Sequence, residues 1–262
     1  MRTRLYLAST SPARRALLAQ SGIEPVLVAP GVDEEAVAAA EAARLGRALT
    51  GPELVTLLAV AKARAVADAP VAGAPVDGVV FGGDSAFEVD GRLYGKPHDP
   101  EVARARWREM LAVGGGTLWS GHCVVDRRRD RAERAADGAV ERGTDQGGPG
   151  GTAPDHPGTG ATGRAGAVPP GLTIDGDTVV AVDGARLTFA DDVDVDEVAA
   201  YVATGEPLEV AGAFTIDGRA AAYITRIDGA PSAVVGLSLP VLRSMLRHGF
   251  GIAWHDLWDG SL

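Results

Sequence analysis

Short apolar runs alternate along this chain with longer stretches in which apolar residues recur every three or four positions, the pattern of strands interleaved with helices. Arg4 to Ala8 reads as a strand. Ser9-Thr10-Ser11-Pro12 then opens a helix to about Gln20. Ser11 is a good N-cap, Pro12 suits the first helical position, Leu17 and Leu18 supply the buried stripe, and Gly22 fits the left-handed position past the end. That helix start aims free N–H groups and a positive dipole end at the loop, with Arg14 in its first turn. Pro25 to Ala29 is a second strand, followed by the acidic turn Asp33-Glu34-Glu35 and an alanine-rich helix. A further helix begins near Pro52 with Leu54, Leu57, Leu58, Ala61 and Ala65 at helical spacing, so Lys62 falls one position round, at the edge of the buried face.

Val79 to Phe81 is a short apolar run ending on Gly82-Gly83-Asp84, which predicts a buried parallel strand delivering Asp84 at its C-terminal tip. Phe87 and Val89 alternate, Asp90-Gly91 is a type I′ hairpin signal, and Leu93 lies on the return strand, which carries Lys96 back toward Asp84. Asp99-Pro100-Glu101 caps a helix through about Leu111, and Thr117 to Asp126 is a strand. Residues 127 to about 171 then turn to charged and Gly/Pro-rich text with almost no large apolar residues, which reads as a flexible surface insertion within one domain spanning 1–262. Patterning resumes at Leu172: strands to Phe189, a helix near Asp194 to Thr204, strands around Phe214 to Ile227, and a helix from about Leu239 to His248. The fold class is α/β.

Composition narrows the function. The 262 residues are 46% hydrophobic, ample for a packed core, and carry a net charge of −10, which argues against general affinity for nucleic acid or an anionic membrane surface. An anionic ligand then needs a local cationic pocket. The single Cys123 forms no internal disulfide, Leu5 to Ala8 is too short for a secretory core, and no apolar run approaches membrane-spanning length, so the cytoplasm is the expected location. Only two of the 25 basic residues are lysines, Lys62 and Lys96, and where nearly every cation is Arg, a retained Lys is a candidate for work that needs a compact ammonium.

Two apparent motifs fail on context. Gly158, Gly160 and Gly163 satisfy GxGxxG, but no strand precedes them and Arg164 and Ala165 replace the Lys and Ser/Thr of a phosphate loop. His122 and Cys123 are neighbours on a strand and so face opposite ways, which makes Cys123 a core residue and not half of a nucleophile and base pair. The five histidines show no metal-ligand spacing. A more coherent set remains: Ser9, Ser11 and Arg14 at a helix start, Glu34 after the second strand, Lys62 on a helix, Asp84 on a strand and Lys96 after a hairpin. Three cations and an anion-binding helix end suit a polyphosphate, and two carboxylates suit a divalent ion and an attacking water.

The string Leu7-Ala8-Ser9-Thr10-Ser11-Pro12-Ala13-Arg14 resembles the opening signature of the Maf family of nucleoside triphosphate pyrophosphatases. Further matches follow in order at Asp33-Glu34, Ala61-Lys62-Ala63, Gly83-Asp84-Ser85, Gly95-Lys96-Pro97, Tyr201 to Pro207, Ala211 to Phe214 and Val235 to Pro240. The resemblance implies an elongated mixed β-sheet flanked by helices, with two lobes around a central cleft and assembly as a homodimer. It implies hydrolysis of a nucleoside triphosphate between the α- and β-phosphates with Mg²⁺ or Mn²⁺, Asp84 accepting the proton and Glu34 joining Asp84 at the metal. Arg14, Lys62 and Lys96 then match phosphate contacts, with Ser9 and Ser11 lining the loop. In members selective for dTTP and UTP the positions of Ala13, Ser85 and Asp217 are usually Arg, Thr and Gln. These departures leave the base preference open and point to modified or non-standard nucleotides. The family's association with inhibition of septum formation gives the competing reading, a nucleotide-binding regulator of cell division with little turnover.

Overall fold

In the computed structural model, residues 3–128 and 171–259 are described. In chain order the elements are β1 (Leu5–Ala8), α1 (Pro12–Gln20), β2 (Val26–Val28), α2 (Glu34–Leu45), α3 (Gly51–Ala67), β3 (Val79–Val89) and β4 (Arg92–Tyr94). Then come α4 (Pro100–Val113), β5 (Gly115–Asp126), β6 (Leu172–Asp175), β7 (Thr178–Phe189), α5 (Val195–Ala203), β8 (Ile224–Asp228), α6 (Pro231–Val234) and α7 (Leu239–Phe250). The proposed insertion at 127–171, with its glycine motif, lies outside the described residues except for Arg127, Arg128 and Gly171.

The strands form one mixed sheet in the order β2-β1-β3-β5-β7-β6, with β4 added to β3 and β8 to β7. β1 runs parallel to β2 and β3, as βαβ crossovers require, while β3, β5 and β7 form a long antiparallel ladder. Among the described residues no helix is long and apolar enough to cross a membrane.

β3 is the backbone of the site. It does not stop at Gly82-Gly83: it continues to Val89, with Asp84 in mid-strand and opposite Gly121 of β5. The expectation of Asp84 at a strand tip is therefore corrected. The glycines do not break the strand because β5 hydrogen-bonds along its whole length, and they are needed for another reason. A Cβ on Gly82 would lie 2.4 Å from the Ala59 carbonyl oxygen, and one on Gly121 would lie 2.1 Å from that of Val55, so α3 rests its backbone directly on the sheet. Ala59 and Ala63 therefore take the closest places against β3. The buried stripe is Val55, Leu58, Ala59, Lys62, Ala63 and Val66, and Lys62 lies within it instead of at its edge.

The other edge of β3 is shared. β1 pairs with it from Val79 to Gly82, and β4 pairs with it from Phe87 to Val89. Neither pairs with Gly83 to Ala86, so the sheet has a break there. Three apolar clusters are arranged around that break. Phe81 and Val79 pack on one face of the sheet with Leu18, Leu237, Leu242 and Met245; Val80 and Cys123 pack on the other with Ala59, Ala63 and Val66. Beyond the break, Phe87 and Val89 join Trp107, Leu118, Tyr201 and Phe214 in a separate core. The two ends of the same long strands thus belong to different lobes, with Asp84 and Ser85 between them.

Local chemistry sets most termini as the sequence suggests. Ser11, Asp33, Thr50, Asp99 and Asp194 each cap a helix through a side-chain oxygen. The Asp90-Gly91 turn has φ of 48° and 76° at its two residues, as a type I′ hairpin demands. The strands expected from Phe214 to Ile227 are reduced to β8; Ala211–Ala213 and Arg219–Tyr223 are 3-10 turns that fold back over Trp107 and Phe87. There Glu206 replaces ladder hydrogen bonds with its own: its carboxylate accepts from Thr215 Oγ1 at 2.6 Å, Arg219 N at 3.0 Å and Tyr201 Oη at 3.1 Å.

Candidate active site

Two groups of side chains approach the break from opposite faces of the sheet. Gly82 and Asp84 point toward α3, where Lys62 Nζ donates to Asp84 Oδ1 at 2.7 Å and lies 2.7 Å from Glu34 Oε1. Lys62 and Asp84 are buried, at 7% and 8% exposure, whereas the Glu34 side chain is half exposed. Glu34 is the first residue of α2, presented by the Asp33 cap, which is how a surface residue comes to overhang a buried ammonium.

From the other face comes Arg14, the third residue of α1. Its Nε donates to the Gly236 carbonyl at 2.8 Å, one terminal nitrogen to Ser9 Oγ at 3.1 Å, and the other to Ser85 Oγ at 3.4 Å. Among the described residues these contacts use three of its five N–H groups in holding the fork still and leave two for a ligand. Ser9 Oγ also accepts from Ser11 N at 3.2 Å, and Ser11 Oγ caps Arg14 N at 3.4 Å. The two serines therefore order the β1–α1 loop and its arginine.

Burial pushes the Asp84 carboxyl above the ordinary aspartate range, and the charges of Lys62 and then Arg14 pull it back only in part. A carboxylate so tuned holds a proton more readily than a surface Asp and is better matched to general-base work near neutrality. Burial lowers the Arg14 pKa against the opposing pull of Asp84 and Glu34, yet a guanidinium starts high enough to stay charged. Cys123, fully buried on the α3 face, has its thiol pushed up to about 12 by burial, consistent with a core role.

Lys96 has a different ion-pair partner. Lys96 leaves β4 in the direction of the break but is exposed, and its ammonium lies 3.8 Å from Glu209, a carboxylate that His98 Nδ1 also meets at 3.1 Å. The hairpin forms as expected, with Tyr94 opposite Phe87, and just after Lys96 the chain is tied to the 3-10 turn Glu206–Glu209, where His98 N donates to the Leu208 carbonyl at 3.0 Å. Of the positions tied to base choice, Ser85 shares Arg14 as described, Ala13 is half-buried on α1, and Asp217 is exposed beside the Glu206 network. Sequence reasoning missed Gly236 and His122. A Cβ on Gly236 would meet Arg14 at 2.8 Å and Ser85 Oγ at 2.9 Å, so the glycine lets a carbonyl reach the guanidinium. Its place in the Val235 to Pro240 motif was the available signal.

The donor set suits a hard divalent cation that arrives with its substrate. Among the described residues no cluster of three or more His, Cys, Asp or Glu could hold a metal alone. Asp84 and Glu34 offer two carboxylates converging on one point, now shared by the Lys62 ammonium, and Mg²⁺ is commonly held by one or two carboxylates plus substrate phosphates.

Comparison with known proteins identifies relatives of this chain. The family model described as Maf-like protein matches residues 4–143 and 160–249. A nucleoside triphosphate pyrophosphatase of Leifsonia xyli subsp. xyli (strain CTCB07) is 46% identical over 256 residues, covering 98% of this chain and 97% of the relative. One of the same name from Streptomyces coelicolor (strain ATCC BAA-471 / A3(2) / M145) is 41% identical over 259 residues, covering 98% and 95%. A third, from Mycobacterium sp. (strain JLS), is 39% identical over 246 residues, covering 94% of each. On these matches the chain belongs to the Maf-like protein family.

Proposed function

We propose that the protein is a nucleoside triphosphate pyrophosphatase, converting a nucleoside triphosphate and water to the monophosphate and pyrophosphate. The observation that carries this reading is the buried Asp84 carboxylate, held at 2.7 Å by Lys62 in a break of the sheet that Arg14 enters from the other face. The relatives' shared name supports the same reaction.

In this reading the triphosphate lies in the break between β1 and β4. Arg14 offers two free N–H groups to phosphate oxygens, Lys62 sets a positive charge beside Asp84, and Lys96 closes on the tail from the rim as Glu209 gives way. Asp84 takes the proton of the attacking water, the linkage between the α- and β-phosphates breaks, and pyrophosphate leaves as a cation-bound anion. Little covalent chemistry is asked of the protein; the rate comes from positioning and charge neutralisation. A divalent cation, Mg²⁺ or Mn²⁺, would be held by Asp84 and Glu34 and would supply further neutralisation of the triphosphate.

Substrate choice rests on Ala13, Ser85 and Asp217. An ionised Asp217 presents only acceptors, and Ala13 and Ser85 carry short side chains, so modified or non-standard nucleotides are the expected substrates. Product analysis across a panel of standard and modified triphosphates tests the proposal: pyrophosphate and monophosphate are expected, whereas orthophosphate release refutes the bond assignment.

A further inference from the structure

We infer that His122 is a positioning residue for Arg14, acting through the backbone of the Gly236 to Ser238 turn. The inference rests on the proposed role of Arg14 at the phosphates. His122 lies on β5 opposite Gly83, fully buried, where the alternation of the strand would be served by an apolar residue. Burying an imidazole is costly unless a polar partner is met. The partner is distant in sequence: Ser238 N donates to His122 Nε2 at 2.8 Å.

That bond fixes a tautomer. Because Nε2 accepts, the proton of the neutral ring is on Nδ1, and a protonated ring would set one N–H against another. Burial and the positive charge of Arg14 hold the imidazole pKa down to about 4 against the pull of Asp183, so the acceptor persists at neutral pH, while Nδ1 meets no hydrogen-bond partner among the described residues. Without it the buried Ser238 N–H would lose its partner at the start of α7.

The turn transmits this to the site. Two residues before Ser238, the Gly236 carbonyl takes the Nε–H of Arg14 at 2.8 Å, and Gly236 is held at φ 86° with no room for a Cβ. A second strut from the same strand meets the same segment, since Ser120 Oγ donates to the Ala233 carbonyl at 2.7 Å. Neither side chain is given a place at the reacting atoms. Ser120 fixes where α6 sits, and His122 sets the orientation of the peptide groups that follow it and hence the direction of the Arg14 fork.

Steady-state kinetics on three variants test this. His122→Phe keeps the ring and deletes the acceptor; we expect KM for the triphosphate to rise about tenfold, the scale of one lost hydrogen bond, with a smaller change in kcat. His122→Gln places a carbonyl near the Nε2 position and should restore KM to within about threefold of the wild type, whereas His122→Asn stops short and should behave like H122F. H122N against H122Q carries the comparison if H122F does not fold. The effect should also vanish on an Arg14→Ala background, where adding H122F should change kcat/KM by less than about twofold. Equal KM for H122N and H122Q, or full additivity with R14A, overturns the inference. An R14A enzyme with unaltered KM would instead sink the phosphate role of Arg14, so the two failures are distinguishable.

Discussion

Replacing Lys62 with Met keeps the apolar stem of the side chain and deletes the ammonium that Asp84 and Glu34 share at 2.7 Å each. The Glu34 side chain is half exposed and recovers water, so nearly all the cost falls on Asp84, buried at 8% exposure. Removing one partner of a buried ion pair costs about 3–5 kcal/mol; Arg14 still attracts Asp84, so the lower end, about 3 kcal/mol, applies. Loss of the cation also disfavours the carboxylate form and so raises the proton affinity of Asp84. The Asp84 carboxyl already stands above its ordinary value, so the shift moves it toward neutrality. A protonated Asp84 cannot accept a proton from water. The acid limb of kcat/KM for pyrophosphate release should therefore move alkaline in K62M, with part of the lost activity regained at alkaline pH. The plateau should also be lower, since a phosphate contact is gone. A lower plateau with an unmoved acid limb would refute the argument, showing that Lys62 binds substrate without tuning Asp84.

Three further outcomes follow from the same geometry. Gly236→Ala puts a Cβ 2.8 Å from Arg14 and asks an alanine to adopt φ 86°; a loss of about 1–2 kcal/mol in a denaturant melt is expected from the backbone alone, together with a raised KM. Lys96→Ala should raise KM while leaving the melting temperature within error, because its pair with Glu209 is exposed and such pairs contribute about 0–1 kcal/mol. The third outcome concerns pH. His122 binds its proton near pH 4 in the folded chain and near 6.5 when unfolded, so the unfolded state holds more protons between these values. Its contribution is complete above about 6.5 and is lost as pH falls, at about 1.4 kcal/mol per unit, a slope that H122F should remove from urea melts taken across that window.

The parts of the fold and site that were legible in the sequence are those whose cause is local. Ser11, Pro12 and Gly22 delimit α1 without help from the rest of the chain, and Asp90-Gly91 dictates its hairpin wherever it lies. What escaped depends on contact between distant segments. The periodicity of α3 pointed to its leucines, yet the sheet meets Ala59 and Ala63, because Gly82 and Gly121 admit helix backbone. A Gly-Gly pair read as the end of β3, although β5 carries the ladder through it. The site residues were named from chemistry and resemblance, and the structure groups Arg14, Ser9 and Ser85 on one side of the break and Lys62, Asp84 and Glu34 on the other, with Lys96 on the rim. Gly236 was signalled only by its place in the Val235 to Pro240 motif, and His122 has no local signature of function, because it acts through a bond spanning 116 residues.

Asp84→Asn tests the central claim most directly, because it keeps the shape of the side chain and removes its ability to take a proton. With triphosphate and a divalent cation at saturation, phosphorus NMR of the products should show pyrophosphate formation reduced by a factor of about 10²–10⁴, while calorimetry shows the triphosphate still bound. Pyrophosphate formation by D84N at the wild-type rate would contradict the account.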